Sequence, residues 1–329
     1  MEIETCTPDR LPLRRLDWAR LLPCLGEARE ALGRYDEALK RTPPEILEIL
    51  KWRECLSSLR GQSIQADLKE WLLFCIDGTG EESRTALLQK ITHVFDALNA
   101  AIRLAKNEPF NGRIFSQIHA IVKQDAANPD EIGKIRKRQN WIGPQGAGID
   151  QAYFFPPEAK KVRSCIQSLS RYLRGKEKDP LVQLAVFFAQ FLIIHPFMDG
   201  NGRVARILIP VILWKKKTIS EPLFFMSRYF EDHRLDYFRK LFSISDKGKW
   251  EEWILYFLRG VIEQADRLKG ETEAIRELYL KIASQCGEKE ACKWFRKPLV
   301  KKTPSKSRKY FVRSKKGFYF FEPLFKITK

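Results

Sequence analysis

The chain has few residues of the types that build metal centres and disulfide frameworks. Its 329 residues include only four histidines, and its seven cysteines are scattered, with no Cys-x-x-Cys pair among them. This usage does not suit a zinc ribbon or a secreted domain stabilised by disulfides. We therefore predict reduced thiols and a cytoplasmic location, although the sequence does not exclude delivery into another cell.

Long hydrophobic runs are also lacking. The first residues do not show the basic, then apolar, then small-residue order of a secretory signal. The longest apolar run, Leu181–Ile194, contains glutamines and falls short of the roughly 20 residues that a membrane-spanning helix needs. Hydrophobic residues make up 44% of the chain, as in ordinary globular proteins. We expect no membrane contact.

Positive charge is abundant but unevenly distributed. The net charge is +18, of which the segment Lys293–Lys329 carries +12, with Glu322 as its single acid. Interleaved basic and aromatic residues suit binding to nucleic acid through counterion release and stacking. A worn or truncated domain explains the same composition equally well. We treat residues 266–329 as a basic C-terminal region and leave both interpretations open.

Apolar residues recur at three- and four-residue steps along much of the chain, which predicts an all-α protein. Helices are predicted over Ile46–Leu59, Leu87–Leu104, Ile114–Ile121, Pro157–Leu173 and Glu273–Ala283. The run Leu181–Ile194 is apolar nearly all round, which is typical of a central buried helix. Residues 1–85 form an N-terminal helical segment in this scheme.

A short polar loop separates two apolar runs at residues 195–206 (HPFMDGNGRVAR). The glycines of Gly200–Gly202 allow positive φ angles that turn backbone N–H groups into one concavity. A helix beginning at this point would add unpaired amides and the positive end of its dipole, which together bind phosphate. Arg203 and Arg206 stand three residues apart, so both guanidinium groups reach over the same helix face.

Two further side chains of this loop suit phosphate chemistry. Asp199 is a carboxylate of the kind that holds Mg²⁺, an ion that bridges phosphates. His195 is the nearby group whose ordinary pKa lies close to neutral, as a general base requires. Phosphate seat, metal ligand, two arginines and a base together predict nucleotidyl transfer.

The loop resembles the signature of the Fic family, His-x-Phe-x-Asp/Glu-Gly-Asn-Gly-Arg-x-x-Arg. The specified positions are all present, namely His195, Phe197, Asp199, Gly200, Asn201, Gly202, Arg203 and Arg206. The resemblance continues over residues 110–265. It implies a Fic-fold helical bundle with a small β-hairpin flap, preceded by an N-terminal helical segment. In the family a winged-helix domain often follows, of which 266–329 would be a remnant.

The resemblance implies a protein adenylyltransferase that moves AMP from ATP to a Ser, Thr or Tyr hydroxyl and releases pyrophosphate. Asp199 would hold Mg²⁺, and His195 would take the proton of the hydroxyl. The amides of Gly200–Gly202 would bind the β- and γ-phosphates together with Arg203, with the γ end reaching Arg206. Transfer of another nucleotide or of phosphate is an alternative, as is a DNA-binding regulator that uses the basic tail.

In the family, a run similar to Gly133–Gly143 (GKIRKRQNWIG) leads into a flap that docks the target protein. The flap here would be Tyr153–Pro157, preceded by Ala152. An aromatic segment that ends in two prolines cannot be helical and suits a short β-hairpin. Its free edge would capture a target segment by main-chain pairing and align a hydroxyl with His195. A hydrophobic loop packed on the core is the alternative, and homodimer formation is left open.

An inhibitory helix ends in Ser/Thr-x-x-x-Glu-Gly in many Fic relatives, and its glutamate pairs with the second arginine of the loop. With Gly61 as the anchor, Arg60 takes the place of that glutamate, and Leu56 that of the Ser/Thr. A cation at this place would repel Arg206. We therefore predict that the usual self-inhibition is lacking and that Arg60→Glu lowers AMP transfer.

A shifted alignment is the alternative, in which Glu54 or Glu70 acts as the inhibitory acid.

The family's adenine pocket is lined by paired aromatics that match Tyr237 and Phe238. Carried over, the two rings would stack on or flank the base, with Ser245 near its polar edge. The alternative is that aromatic residues at helical spacing belong to the core. His119 is assigned a structural role behind the site, and His93 no role.

Overall fold

The computed structural model describes residues 5–60, 82–143 and 148–288. Within these ranges the chain forms ten α-helices: α1 Trp18–Lys40, α2 Pro44–Arg60, α3 Glu82–Asn107, α4 Gly112–Val122, α5 Ala159–Arg174, α6 Pro180–Ile194, α7 Asn201–Lys215, α8 Ser227–Asp232, α9 Arg234–Lys247 and α10 Trp250–Cys286. The all-α prediction is confirmed.

Helix α6 is the centre of the bundle. Each residue from Leu181 to Ile194 is buried, because α5, α7 and α10 pack around it. Asp179 caps its N-terminus by accepting hydrogen bonds from the Leu181 and Val182 amides, at 2.7 and 3.2 Å. The same buried carboxylate pairs with Arg29 of α1. A fully apolar helix with a satisfied cap gives the following loop a stiff support.

Helix α10 joins two regions that we predicted to be separate, residues 110–265 and 266–329. It runs unbroken from Trp250 to Cys286, so the predicted helix Glu273–Ala283 is its C-terminal part. The division placed after residue 265 falls inside it. A buried stripe at helical spacing continues across that point: Ala265, Leu268, Thr272, Ile275 and Tyr279. With no proline in this stretch, the helix has no reason to stop. Residues 289–329, which hold most of the basic region, lie outside the described residues.

The N-terminal segment packs on helices from the rest of the described chain. Helix α1 lies along α10, and α2 contacts α3 and α8. The Trp52 ring of α2 stacks on Phe95 of α3, with ring centroids 3.6 Å apart. Glu70, the second acid of the alternative alignment, lies outside the described residues.

The flap is less regular than the β-hairpin we predicted. Within the described ranges, strand pairing is limited to one antiparallel bridge between Ile142 and Phe154. The Ile142 N–H donates to the Phe154 carbonyl at 2.9 Å, and the Tyr153 N–H donates to the Ile142 carbonyl at 2.8 Å. A 3₁₀ turn at Ile149–Gln151 precedes the bridge, and Pro156-Pro157 follows it, so pairing has no room to extend.

Among the described helices, none has the length and apolar character that crossing a bilayer requires.

Candidate active site

His195 ends helix α6 in the left-handed conformation, with φ 48° and ψ 64°. Its N–H donates to the Phe191 carbonyl at 3.1 Å. Its carbonyl accepts from Nε of Arg136 at 2.9 Å, and the Arg136 N–H donates to the Pro196 carbonyl at 2.9 Å. Arg136 is buried, so this side chain holds a backbone conformation that a non-glycine residue rarely adopts.

The imidazole of His195 is arranged as a base. Its Nδ1 lies 3.2 Å from the Leu192 carbonyl. A carbonyl can only accept, so Nδ1 carries the proton and Nε2 keeps its lone pair. Burial lowers the pKa of His195 to about 4, against the hydrogen bond to Leu192 that acts to raise it. The ring is therefore neutral at physiological pH.

The Asn201 side chain closes the loop after His195, because both of its polar atoms form hydrogen bonds to the backbone. Oδ1 of Asn201 accepts from the Phe197 N–H, and Nδ2 donates to the Phe197 carbonyl, each at 2.9 Å. Asn140 adds a third bond by donating to the same carbonyl at 3.3 Å. The Asn201 side chain is thus turned into the loop, and its backbone is what it can offer a ligand.

Gly200 provides the turn into helix α7. Its φ of 81° is favourable for glycine alone, and a Cβ here would meet the Lys123 and His119 side chains at 3.2 and 3.4 Å. The Gly200 carbonyl accepts the first helical bond, from the Val204 N–H at 3.1 Å, and Gly200 provides no side-chain cap. The Gly200 amide itself donates to Oδ1 of Asp199 at 2.6 Å. The amides that follow it in the first turn of α7 are the ones placed to bind an anion.

Asp199 is surrounded by cations. Its Oδ2 lies 2.6 Å from Nζ of Lys123 and 3.4 Å from Nη2 of Arg203. Burial alone would raise the pKa of this carboxyl, but the hydrogen bond and charge of Lys123, with help from Arg203, lower it. Asp199 is therefore a carboxylate at neutral pH.

His119 of α4 positions Asp199. Its Nδ1 accepts from the Gly133 N–H at 3.0 Å, so Nε2 carries the proton and donates to the Asp199 carbonyl at 2.9 Å. The ring stacks on Phe197, with centroids 4.0 Å apart. Burial lowers the pKa of His119 to about 4, which keeps the ring neutral. The structural role expected for His119 is correct, but the ring holds the loop directly.

Arg203 and Arg206 bring buried positive charge to one wall. Arg203 is 6% exposed, and burial lowers the pKa of both guanidinium groups. Nη2 of Arg206 donates to the Ser58 carbonyl at 3.2 Å. Nε of each arginine lacks a hydrogen-bond acceptor among the described residues. A Cβ at Gly202 would lie 3.2 Å from Nη1 of Arg206, so glycine is what lets this side chain fold back. Buried, unpaired N–H donors require a ligand that accepts.

Helix α2 forms the opposite wall. Glu54 hydrogen-bonds the Ser227 hydroxyl, and burial raises its pKa to about 8, while the charge of Arg206 acts to lower it. Glu54 is thus the described acid of α2 that lies near Arg206, but its hydrogen bond goes to Ser227, so the alternative alignment stays a prediction. The side chain of Arg60 lies outside the described residues, so the prediction made for it stays a prediction.

These elements enclose a cavity of about 220 Å³. It is lined by the nine residues we predicted, His195, Asp199, Gly200, Asn201, Gly202, Arg203, Arg206, Tyr237 and Phe238. Six more were not predicted: Ser57, Ser58, Ser227, Phe230, Glu231 and Arg234. Phe230 and Glu231 stand shortly before Tyr237 and Phe238 in the sequence, and that proximity was the available signal. Ser57 and Ser58 of α2 had no feature in the sequence that would have predicted them at the cavity.

The two aromatics differ in accessibility. Tyr237 is buried, and its ring lies 5.1 Å from Phe230 and 6.1 Å from Trp253. Phe238 is 48% exposed and presents its ring at the cavity. Ser245 is placed elsewhere: it is exposed and contacts Cys6, so the role expected for it at a base edge is wrong.

No cluster of three or more His, Cys, Asp or Glu side chains suited to a metal occurs among the residues the structure describes. Mg²⁺ does not need such a cluster, since it keeps water and phosphate ligands beside one or two carboxylates.

Comparison with known proteins finds similarity to the Fic/DOC family. A model of the Fic/DOC family matches residues 109–213. Protein adenylyltransferase fic-1 of Caenorhabditis briggsae is 30% identical over 92 residues, which are 27% of this chain and 16% of that protein. A probable protein adenylyltransferase of Aquifex aeolicus is 41% identical over 63 residues, 19% of this chain and 20% of that protein. The chain therefore spans a fifth or less of these curated relatives.

A solved structure of a Fic family protein from Desulfovibrio desulfuricans is similar in fold. It aligns with a TM-score of 0.63 at 21% identity, covering 78% of this chain and 75% of that one. Residues 109–213 thus match the Fic/DOC family model, and the fold of the chain is similar to that of a Fic family structure.

Proposed function

We propose that the protein transfers AMP from ATP to a hydroxyl group of a target protein. The observation that carries this proposal is the cavity wall formed by the loop and α7. There, two buried arginines with unpaired Nε atoms and the first-turn amides of α7 face a neutral imidazole. The adenylyltransferase names of the relatives in Caenorhabditis and Aquifex support AMP as the transferred group.

The phosphates of ATP would bind where positive charge is already in place. The β- and γ-phosphates would accept from the amides after Gly200 and from Arg203. The γ-phosphate would reach Arg206, whose Nη2 now donates to the Ser58 carbonyl. Buried donors need no reorganisation when charge develops on the phosphates, so they stabilise the transition state efficiently.

His195 would act as the general base. Its Nδ1–H is held by the Leu192 carbonyl, which leaves Nε2 to accept the proton of the attacking hydroxyl. The oxygen would then form a bond to the α-phosphorus while the bond to the β-phosphate oxygen breaks, and pyrophosphate leaves. The left-handed backbone of His195 matters because it aims the ring into the cavity rather than along the helix.

A magnesium ion fits the donor set of the loop. Asp199 is ionised, its side chain is 65% exposed, and Glu231 is a second carboxylate on the cavity wall. Asp199 would hold the ion in place of its contact with Lys123. When bound, the ion would neutralise phosphate charge and orient the triphosphate.

The adenine base and the target occupy the two ends of the site in this proposal. Phe238 offers a half-exposed ring for stacking, with Tyr237 buried behind it. The target hydroxyl would be presented at the flap, where Tyr153 is 71% exposed beside the Ile142–Phe154 bridge. The flap would pair with an extended segment of the target.

ATP labelled on the α- or the γ-phosphate tests the proposal. Label from the α position should appear on protein, and His195→Ala should abolish it. Label from the γ position alone would show phosphate transfer and overturn AMP transfer. His233→Ala is the matched control, because His233 contacts Glu263 and does not line the cavity.

A further inference from the structure

A second concave surface, the arginine groove, lies between helices α4 and α5 and measures about 600 Å³. It is lined by Asn111, Gly112, Arg113, Ser116, Ile135, Arg163, Ile166, Gln167, Ser170, Arg171 and Arg174. No acid is among them. None of the four arginines forms an ion pair with another described residue, and all four are exposed. The groove therefore presents uncompensated positive charge.

Helix stability explains only part of the placement of these arginines: Arg171 and Arg174 lie in the last turn of α5, where the helix dipole favours a cation. Arg113 lies in the first turn of α4, where the helix dipole disfavours a cation. On α5, Arg163, Gln167, Arg171 and Arg174 follow one another at steps of four, four and three residues, so they form one stripe. The stripe extends about 16 Å along the helix, from the rise of 1.5 Å per residue. A row of planar donors is suited to binding carboxylates or phosphates bidentately.

The groove is connected to the catalytic loop and to the flap. Ile135 lines it, and the next residue, Arg136, holds the carbonyls of His195 and of Pro157. Helix α5 begins at Ala159, directly after the prolines that end the flap. Arg163, the first arginine of the stripe, is therefore only six residues after Pro157, the last residue of the flap.

We propose that the arginine groove binds an acidic segment of the target protein, adjacent to the hydroxyl that the flap presents. This rests on the proposed function, because it names the substrate class of that reaction. Arg163 and Arg174 lie about 6 and 22 Å from the start of α5. An extended chain at about 3.3 Å per residue places the acids about two to seven residues from the flap. Nucleic acid is the weaker fit, since no aromatic ring lines the groove for base stacking.

Binding is measured first, independently of catalysis. The probe is a fluorescent peptide with a serine followed by glutamates at these positions, compared with the same peptide carrying glutamines, on full-length His195→Ala protein. The glutamate peptide should bind about 10-fold more tightly, and Arg171→Glu/Arg174→Glu should remove the difference. Arg171→Lys/Arg174→Lys should retain most of it, because charge is kept. A version with the acids preceding the serine covers the other chain direction.

The matched control is Arg103→Glu/Lys106→Glu on α3, which makes the same change in net charge at exposed positions outside the groove. It should leave the preference unchanged. Equal binding of glutamate and glutamine peptides, or a preference that survives the groove substitution, overturns the proposal. So does a short DNA duplex that binds in a groove-dependent way while the glutamate peptide does not.

Transfer from α-labelled ATP to the same peptides by the unsubstituted enzyme then separates the two claims. If the glutamate peptide binds preferentially but no label is transferred, AMP transfer is contradicted and the groove proposal is supported. If label is transferred but neither assay shows a preference for the glutamate peptide, AMP transfer is supported and the groove proposal is contradicted.

Discussion

The catalytic cavity and the arginine groove are both lined by arginines, but in opposite states. In the cavity, Arg203 is 6% exposed and its Nε lacks an acceptor among the described residues. In the groove, Arg171 and Arg174 are solvated and free to move. The walls of the cavity are formed by buried helices, whereas the arginine groove is the open face of one helix pair, α4 and α5.

The difference in burial determines which ligands each surface can bind selectively. Buried cations keep their field in a low dielectric, so they bind one small polyanion strongly and in one geometry. Exposed cations are screened by salt and contribute less each, but several together favour one class of partner over another. In the two proposals made above, the cavity would determine which reaction occurs, and the groove would determine which protein is modified.

His195→Ala should have the largest effect. Loss of the base is expected to lower kcat about 10³-fold, for acidic and neutral peptides alike, because proton removal is common to both. Labelled AMP transfer measures it. If a groove substitution lowered kcat equally for acidic and neutral peptides, the proposed separation of roles between cavity and groove would be wrong.

The pH profile sharpens this prediction. With its pKa lowered to about 4, His195 is already neutral at pH 6, so the rate should stay level from neutral pH to about 5.5. It should fall only as pH drops further and the ring takes a proton. A fall centred near pH 6.5 would contradict the low pKa.

Arg203→Lys is expected to weaken ATP use about 10²-fold while the net charge stays the same. A lysine loses the fork that a buried guanidinium offers to phosphate. The KM for ATP in the unsubstituted enzyme should change little between low and moderate salt, whereas the acidic-peptide preference should fade. Titration of both with NaCl compares buried with exposed charge directly.

His119→Phe is expected to lower kcat about 10-fold. The ring still stacks on Phe197, but the hydrogen bonds to Gly133 and Asp199 are lost, so Asp199 is held less well. The effect should appear as a higher Mg²⁺ requirement. A purely structural role would leave the Mg²⁺ requirement unchanged.

The same residue links pH to stability. His119 has a folded-state pKa of about 4, below its ordinary value of 6.5, so the unfolded chain takes up the proton first. Its contribution is complete above pH 6.5 and is lost as pH falls toward 4, by about 2–3 kcal/mol. Urea unfolding at pH 7.5 and 5 should show a smaller difference for His119→Phe than for the unsubstituted protein.

Arg60→Glu should have the smallest effect, a loss of AMP transfer of about threefold. A carboxylate at the end of α2 would compete with the γ-phosphate for Arg206, which already donates to Ser58. Unchanged transfer would remove Arg60 from the control of the cavity. Glu54→Gln is the companion variant, since Glu54 is the described acid of α2 whose charge acts on Arg206.

Local pattern was enough to predict the helical architecture and the loop. The all-round apolar run Leu181–Ile194 is typical of a buried helix, and Gly200 makes the predicted turn, although Asn201 and Gly202 already belong to α7. Contacts between distant segments left no such signal. The Ser58 carbonyl reaches Arg206 across 148 residues of sequence, and His119 reaches Asp199 across 80.

Errors arose where local composition was ambiguous. Ser245 was assigned from the family resemblance, but its hydroxyl bonds to Cys6. The flap has strand-forming residues, yet Pro156-Pro157 and the preceding turn restrict it to one bridge. The arginine groove combines residues from three separate segments, which spacing along one helix could not reveal.

The left-handed backbone of His195 implies a trade between durability and activity. An ordinary side chain in that conformation costs about 1–2 kcal/mol, which Arg136 and the surrounding packing must offset. Selection for a robust fold alone would favour glycine at this position. The chain instead keeps histidine at this strained backbone position, and its imidazole is the base of the proposed transfer.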